Sequence, residues 1–171
     1  MKKFLMVLLI LAVIGGSAFA IDWLSYPPPV DGGNFMLDVG VGLPSYLFSY
    51  LAIPPLFVIG EYAINPIPLS VGGMVTFAGY NWGGSKIGEI DIGIFARANW
   101  HFGFDISWLD FYAGVNFGAR IWMYPNSSSR GGGWPYGGGQ VGAHFYFSKG
   151  FGLVVELGYP YWLKAGFAFK F

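Results

Sequence analysis

His101 and His144 are the only histidines in the 171-residue sequence, and cysteine is absent. A catalytic or metal-binding histidine needs acids or further ligands converging on it at one depth. Asn99 and Asp105 are the nearest such neighbours of His101, and no metal-ligand spacing appears anywhere. Ser127, Ser128 and Ser129 have no base beside them to activate a hydroxyl. The expectation is therefore hydrogen-bonded structural histidines, no metal, no cofactor and no enzymatic activity. What remains chemically unusual is a set of charges regularly spaced in apolar surroundings: Asp38, Glu61, Glu89, Asp91, Arg97, Asp110, Arg120, Glu156, Lys164 and Lys170.

The elements that carry these charges repeat with period two. Between residues 88 and 102, Ile90, Ile92, Ile94, Ala96, Ala98, Trp100 and Phe102 fall on one face. Glu89, Asp91, Gly93, Phe95, Arg97, Asn99 and His101 fall on the other. Residues 109–121 repeat the pattern. Such alternation is a strand with two unlike faces. These segments run 13 to 15 residues, longer than the about 9–11 that cross a bilayer as a strand and far beyond the usual soluble strand of about 5–6. Six further candidates lie at 34–43, 56–64, 69–80, 139–147, 150–158 and 161–171. Eight strands, an even number, suit a closed antiparallel barrel without exposed edges. All ten charges above take the same face, which is the lumen face if the apolar face meets lipid. A lipid-facing Arg or Lys at mid-membrane costs about 2–4 kcal/mol, so the arrangement has a physical cause.

Composition agrees. The chain is 54% hydrophobic and 11% charged, with 28 glycines, against about 25% charged residues in a soluble domain. Residues 1–20 read as a cleaved signal peptide: Lys2 and Lys3, an apolar run from Phe4 to Ile14, then Ala18-Phe19-Ala20 before the cut. Residues 21–33, with Pro27-Pro28-Pro29, read as a periplasmic lead-in, and residues 34–171 as the barrel. Removal of the leader leaves seven basic and nine acidic residues, which points away from a nucleic-acid partner. The connections after strands 2, 4 and 6 are short and those after strands 1, 3 and 5 long (44–55, 81–87, 125–138), as expected for periplasmic turns and outer loops.

The chain ends Lys164-Ala165-Gly166-Phe167-Ala168-Phe169-Lys170-Phe171. Lys164, Gly166, Phe167, Phe169 and Phe171 resemble the C-terminal β-signal of bacterial outer-membrane proteins. With the alternating strands, the chain resembles the small eight-stranded outer-membrane barrels, the class of the OmpA transmembrane domain, OmpX and OmpW. The resemblance covers residues 34–171 as architecture. It implies an all-β, eight-stranded, up-and-down transmembrane barrel in the cell outer membrane, with lipid outside, a polar lumen and the barrel-assembly machinery as a partner. Acyl transfer of the PagP kind is the enzymatic option for this class. It uses His, Asp and Ser at the outer rim, and the outer loops here hold no His.

Eight strands leave an interior that side chains can just fill. Buried charges need partners. A turn at 159–161 sets Glu156 opposite Lys164, and a turn near Asp105 sets Arg120 beside Asp91 or Glu89. Arg97, Asp110 and Asp38 would lie lower. The leading function is a structural or surface-interaction protein with a plugged lumen; the alternative is a narrow OmpW-like channel or carrier for small apolar solutes. Candidate surface contacts are Tyr46 and Phe48 in the apolar first loop, and Arg130, Trp134 and Tyr136 in a glycine-rich loop at 126–139 expected to be mobile. Trp100, Phe102 and Phe171 at one level, and Tyr159, Trp82 and Trp122 at the other, suit aromatic girdles.

Overall fold

The computed structural model describes residues 30–44, 51–81, 87–104, 106–128 and 130–171. Tyr46, Phe48, Trp82, Asp105, the leader and most of the lead-in lie outside these residues. Eight antiparallel strands follow in order: β1 (Phe35–Leu43), β2 (Leu51–Ile64), β3 (Leu69–Tyr80), β4 (Glu89–Phe102), β5 (Leu109–Met123), β6 (Gly132–Tyr146), β7 (Phe151–Gly158) and β8 (Leu163–Lys170). Each pairs with its neighbour in sequence, and β1 pairs with β8 to close the barrel. The seam runs from Met36 opposite Lys170 to Leu43 opposite Leu163. Below it, Phe35 and Phe171 exchange backbone hydrogen bonds of 3.1 and 2.9 Å. The β-signal segment is thus the strand that closes the ring, with Phe167 and Phe169 both against Phe151 on the outer wall (ring centroids 5.8 and 5.5 Å).

Alternation decides which side of each strand is wet. On β4, Asp91, Phe95, Arg97, Asn99 and His101 are buried while Ile94 is 56% exposed. On β5, Asp110, Tyr112 and Asn116 are buried while Val115 and Phe117 are more than 60% exposed. None of the ten strand charges is exposed, and seven are buried. The fold is therefore that of a transmembrane barrel, with an apolar outer wall and the charges inside. The lumen is less uniformly polar than the charge pattern suggests. Met36, Phe57, Ile59, Met74, Phe95 and Val154 also point inward and pack together, filling the space between the charged layers.

Two strands start well before the sequence expectation, and the other ends agree within two residues. β2 starts at Leu51, so Pro54 and Pro55 lie within a strand. Its register to β3 shifts between Leu51, Ile53 and Leu56, and such bulges are where a strand accommodates residues without an N–H. β6 starts at Gly132, so Trp134 and Tyr136 sit in a strand and not in a mobile loop. Trp122 to Leu109 pairs without a break with Gly132 to Phe145. The low strand propensity of the glycines is overridden by the ready-made edge of β5. The remaining turn is tied down by Asn126, whose side-chain amide donates to the Ile87 carbonyl at 2.7 Å.

The described part of the lead-in tucks against the end with the short turns. Gly33 N–H donates to the Ala63 carbonyl at 2.8 Å, and Val30 is buried in the cluster that holds Met36 and Ala63.

Candidate functional site

The polar groups of the lumen are arranged in layers. At their centre Arg97 bridges two acids. Its Nε lies 2.7 Å from Glu61 Oε1, and its two terminal nitrogens lie 3.2 and 2.6 Å from the two oxygens of Glu156. Lys164 Nζ lies 2.8 Å from Glu156 Oε1 and donates to the carbonyls of Gly158, Tyr159 and Tyr161 at 3.3–3.4 Å. Tyr112 donates to Glu156 at 2.8 Å, and Ser70 and Asn99 donate to Glu61 at 2.5 and 2.7 Å. Two acids and two bases balance, with the remaining carboxylate lone pairs taken by neutral donors. This is the condition under which buried ions are tolerated.

Glycine makes these contacts possible. Glu61, Gly72 and Arg97 lie in one row across β2, β3 and β4. Asn99, Gly114 and Gln140 lie in a second row across β4, β5 and β6. Tyr112, Gly142 and Glu156 form a third across β5, β6 and β7. In each row the outer two side chains bond over the glycine, as Gln140 Nε2 does to Asn99 Oδ1 at 2.8 Å. A Cβ on Gly72 would meet Glu61, one on Gly114 would meet Asn99, and one on Gly142 would meet the Tyr112 ring.

Toward the short-turn end the system continues through the histidines. His144 lies between Asp38 (Nε2, 3.1 Å) and Asp110 (Nδ1, 2.9 Å). His101 lies between Asp110 (Nδ1, 2.9 Å) and Ser70 Oγ (Nε2, 2.9 Å). Ser70, His101 and Asp110 thus stand in nucleophile–base–acid order. Ser70, however, is wholly buried, and its hydroxyl donates to Glu61. Among the described residues, no group of three His, Cys, Asp or Glu has the geometry to hold a metal ion.

Toward the outer end Arg120 pairs with Asp91, with its guanidinium 5.6 Å from the Tyr136 ring. Tyr136 stacks on Tyr159 at 5.5 Å. Tyr159 therefore turns into the mouth and is not a girdle residue, and Trp122 shares the inward parity of Arg120. Glu89, half-buried on the face of Asp91, stands opposite Tyr80. Arg130 is exposed beside the start of β6, and Trp134 is 63% exposed above Tyr136.

The expected pairs Glu156–Lys164 and Arg120–Asp91 are both present. Sequence reasoning missed the partners of Arg97, which lie 36 and 59 positions away, and the two-histidine bridge between Asp38 and Asp110. Replacing Lys164 with Met is expected to destabilise the barrel by about 1–3 kcal/mol, because Glu156 loses a buried charged donor. Glu156→Gln/Lys164→Met should lose less than the two single changes combined in urea titrations of the bilayer-embedded protein. Simple additivity would mean that the two groups do not interact.

No protein-family model matches the chain, and no curated protein matches it by sequence. Solved structures do share its fold. Ail of Yersinia pestis, in complex with the heparin analogue sucrose octasulfate, superposes with a TM-score of 0.50 at 15% identity, covering 82% of this chain and 99% of that one. The N-terminal β-barrel domain of Pseudomonas aeruginosa OprF gives 0.50 at 14% identity, covering 83% and 100%. The chain is an eight-stranded antiparallel barrel of the outer-membrane type.

Proposed function

We propose that this protein is exported behind its N-terminal leader to the cell outer membrane, where the barrel-assembly machinery inserts it into lipid and its lumen stays plugged. Its work is then done at the outer surface, without catalysis. The observation that carries this reading is the central Glu61–Arg97–Glu156–Lys164 system. It connects β2, β4, β7 and β8 across the interior and leaves the space between them to packed apolar side chains.

The surface role rests on the uneven outer rim. Among the described residues, Gly132 to Gly138 of β6 pair with β5 alone, because pairing with β7 begins at Gln140, with one further backbone bond at Gly139. The β5–β6 hairpin rises above the tight β7–β8 connection and carries Arg120, Arg130, Trp134 and Tyr136. Aromatic faces beside guanidinium groups suit a planar or anionic surface ligand. The rising edge is blunted. Gly139 accepts from Tyr159 N–H at 3.2 Å, so odd-numbered residues here aim their backbone groups away from β5. Pro135 is one of them, and its missing N–H removes a donor from the free edge, a usual guard against indiscriminate strand addition.

The test is conductance of the inserted barrel in a planar bilayer. A silent membrane with insertion confirmed is the expected result, and Arg130→Ala/Trp134→Ala should then reduce binding of the protein to its surface ligand without altering the barrel. Discrete openings blocked by small apolar solutes would overturn the plugged-lumen reading in favour of the narrow carrier.

A further inference from the structure

The outer wall is not evenly filled. Ala143 faces outward on β6, yet it is 7% exposed, whereas its outward neighbours Val141 and Leu157 are 53% and 48% exposed. Phe111 and Val155 stand directly opposite it on the two flanking strands, so the small side chain lies in a depression between larger ones. Ala113 and Ala143 sit diagonally on β5 and β6, because Ala113 pairs with Val141 and Phe111 with Ala143. The two small residues form the floor of a groove of about 550 Å³ on the barrel's outside. Phe104 and Phe111, packed edge to face at 5.6 Å, wall one side, and Phe145 and Leu157 the other.

We propose that this groove holds one acyl chain of a membrane phospholipid as a specific site on the barrel wall. The proposal rests on the membrane-barrel reading, since the groove is continuous with the lipid-facing wall that the fold defines. Its lining residues present apolar side chains along almost its whole length, so a polar or charged occupant would lose its hydrogen bonds there. An extended hydrocarbon chain gains dispersion contacts on three sides where a flat wall offers one. The opposing occupant, a second copy of this chain, would have to fit a convex barrel wall into a concave groove. The Phe104–Phe111 wall lies beside the 103–108 turn, so the bound chain would enter from that membrane surface. There Trp108, stacked on Phe145 with centroids 6.4 Å apart, is placed at the interface where tryptophan side chains prefer to lie.

The groove is tested by folding the protein into nanodiscs of phosphatidylethanolamine and phosphatidylglycerol, moving it to mild detergent, and weighing the complexes by native mass spectrometry. The wild type is expected to retain one phospholipid. Ala113→Phe/Ala143→Phe, which fills the groove, should retain about tenfold less, equivalent to about 1.4 kcal/mol of affinity. Ala119→Phe places one such ring on the same outer face away from the groove and should retain as much as the wild type. Equal retention by the wild type and the filled variant would overturn the site. So would a dimer mass in the wild type that the filled variant lacks, because the occupant would then be a second copy. Folding is read separately from the difference between cold and boiled migration in SDS. A filled variant that lost it is replaced by Ala143→Leu, held to the same tenfold expectation, and a wild type without it would overturn the membrane barrel and the groove together.

Discussion

Arg97→Met is expected to lower the unfolding free energy of the bilayer-embedded barrel by about 3–5 kcal/mol, the usual penalty when one partner of a buried ion cluster is removed and the others remain. Glu61 and Glu156 are both 4% exposed or less, so water cannot replace the guanidinium. The two acids are not left equally poor. Glu156 keeps Lys164 at 2.8 Å and the Tyr112 hydroxyl at 2.8 Å. Glu61 keeps only the neutral donors Ser70 and Asn99. Most of the penalty therefore belongs to Glu61, and Glu61→Gln/Arg97→Met should recover a large part of it, whereas Glu156→Gln/Arg97→Met should recover little. The measurement is the urea midpoint and slope in phospholipid vesicles, with the slope checked for constancy so that the midpoint shift reports stability. A loss below about 1 kcal/mol for Arg97→Met would be that of a solvent-exposed pair, and would mean that water reaches the lumen and that the plugged reading is wrong.

The barrel itself was legible because its two physical signals are local. Alternation at period two needs only a strand's own residues, and the cost of charge in lipid needs only the parity of Asp91, Arg97 or Glu156. Pairs across one tight turn were legible for the same reason, as with Glu156 and Lys164. What was hidden depends on closure. Arg97 meets Glu61 and Glu156 only when the sheet curls round, and no sequence spacing encodes that distance. The two histidines looked isolated in the sequence because Asp38 and Asp110 come from other strands. The 132–138 stretch read as a loop because glycine propensity was weighed without the partner strand β5 beside it. A signal for the cross-lumen contacts was nonetheless present in the inward parity of Gly72, Gly114 and Gly142. Each is flanked on the two neighbouring strands by polar side chains of the same parity.

That signal leads to the second large effect. Gly72→Val is expected to prevent closure or to destabilise the barrel by more than the about 1–3 kcal/mol of ordinary overpacking, while Gly73→Val, one residue away, should be tolerated within about 1 kcal/mol. The two glycines share a strand and differ in face. A Cβ on Gly72 would run into the Gly60 carbonyl and into Cα and Cγ of Glu61. The first two are backbone atoms of the paired strand, so a rotamer change cannot relieve the clash. The added methyls would also stand between Glu61 and Arg97, which adds the cost of a broken buried pair to the cost of strain. A Cβ on Gly73 meets only the Phe95 carbonyl, at 3.3 Å, and points to the apolar outer face, where valine is a favoured strand residue. The readout is the fraction of protein whose SDS migration shifts on boiling, followed by urea titration of whatever folds. Equal tolerance of the two substitutions would show that the strands can separate at this row. In that case Glu61 and Arg97 would not be held by the close approach of β2 and β3, and the ion cluster would lose its structural basis.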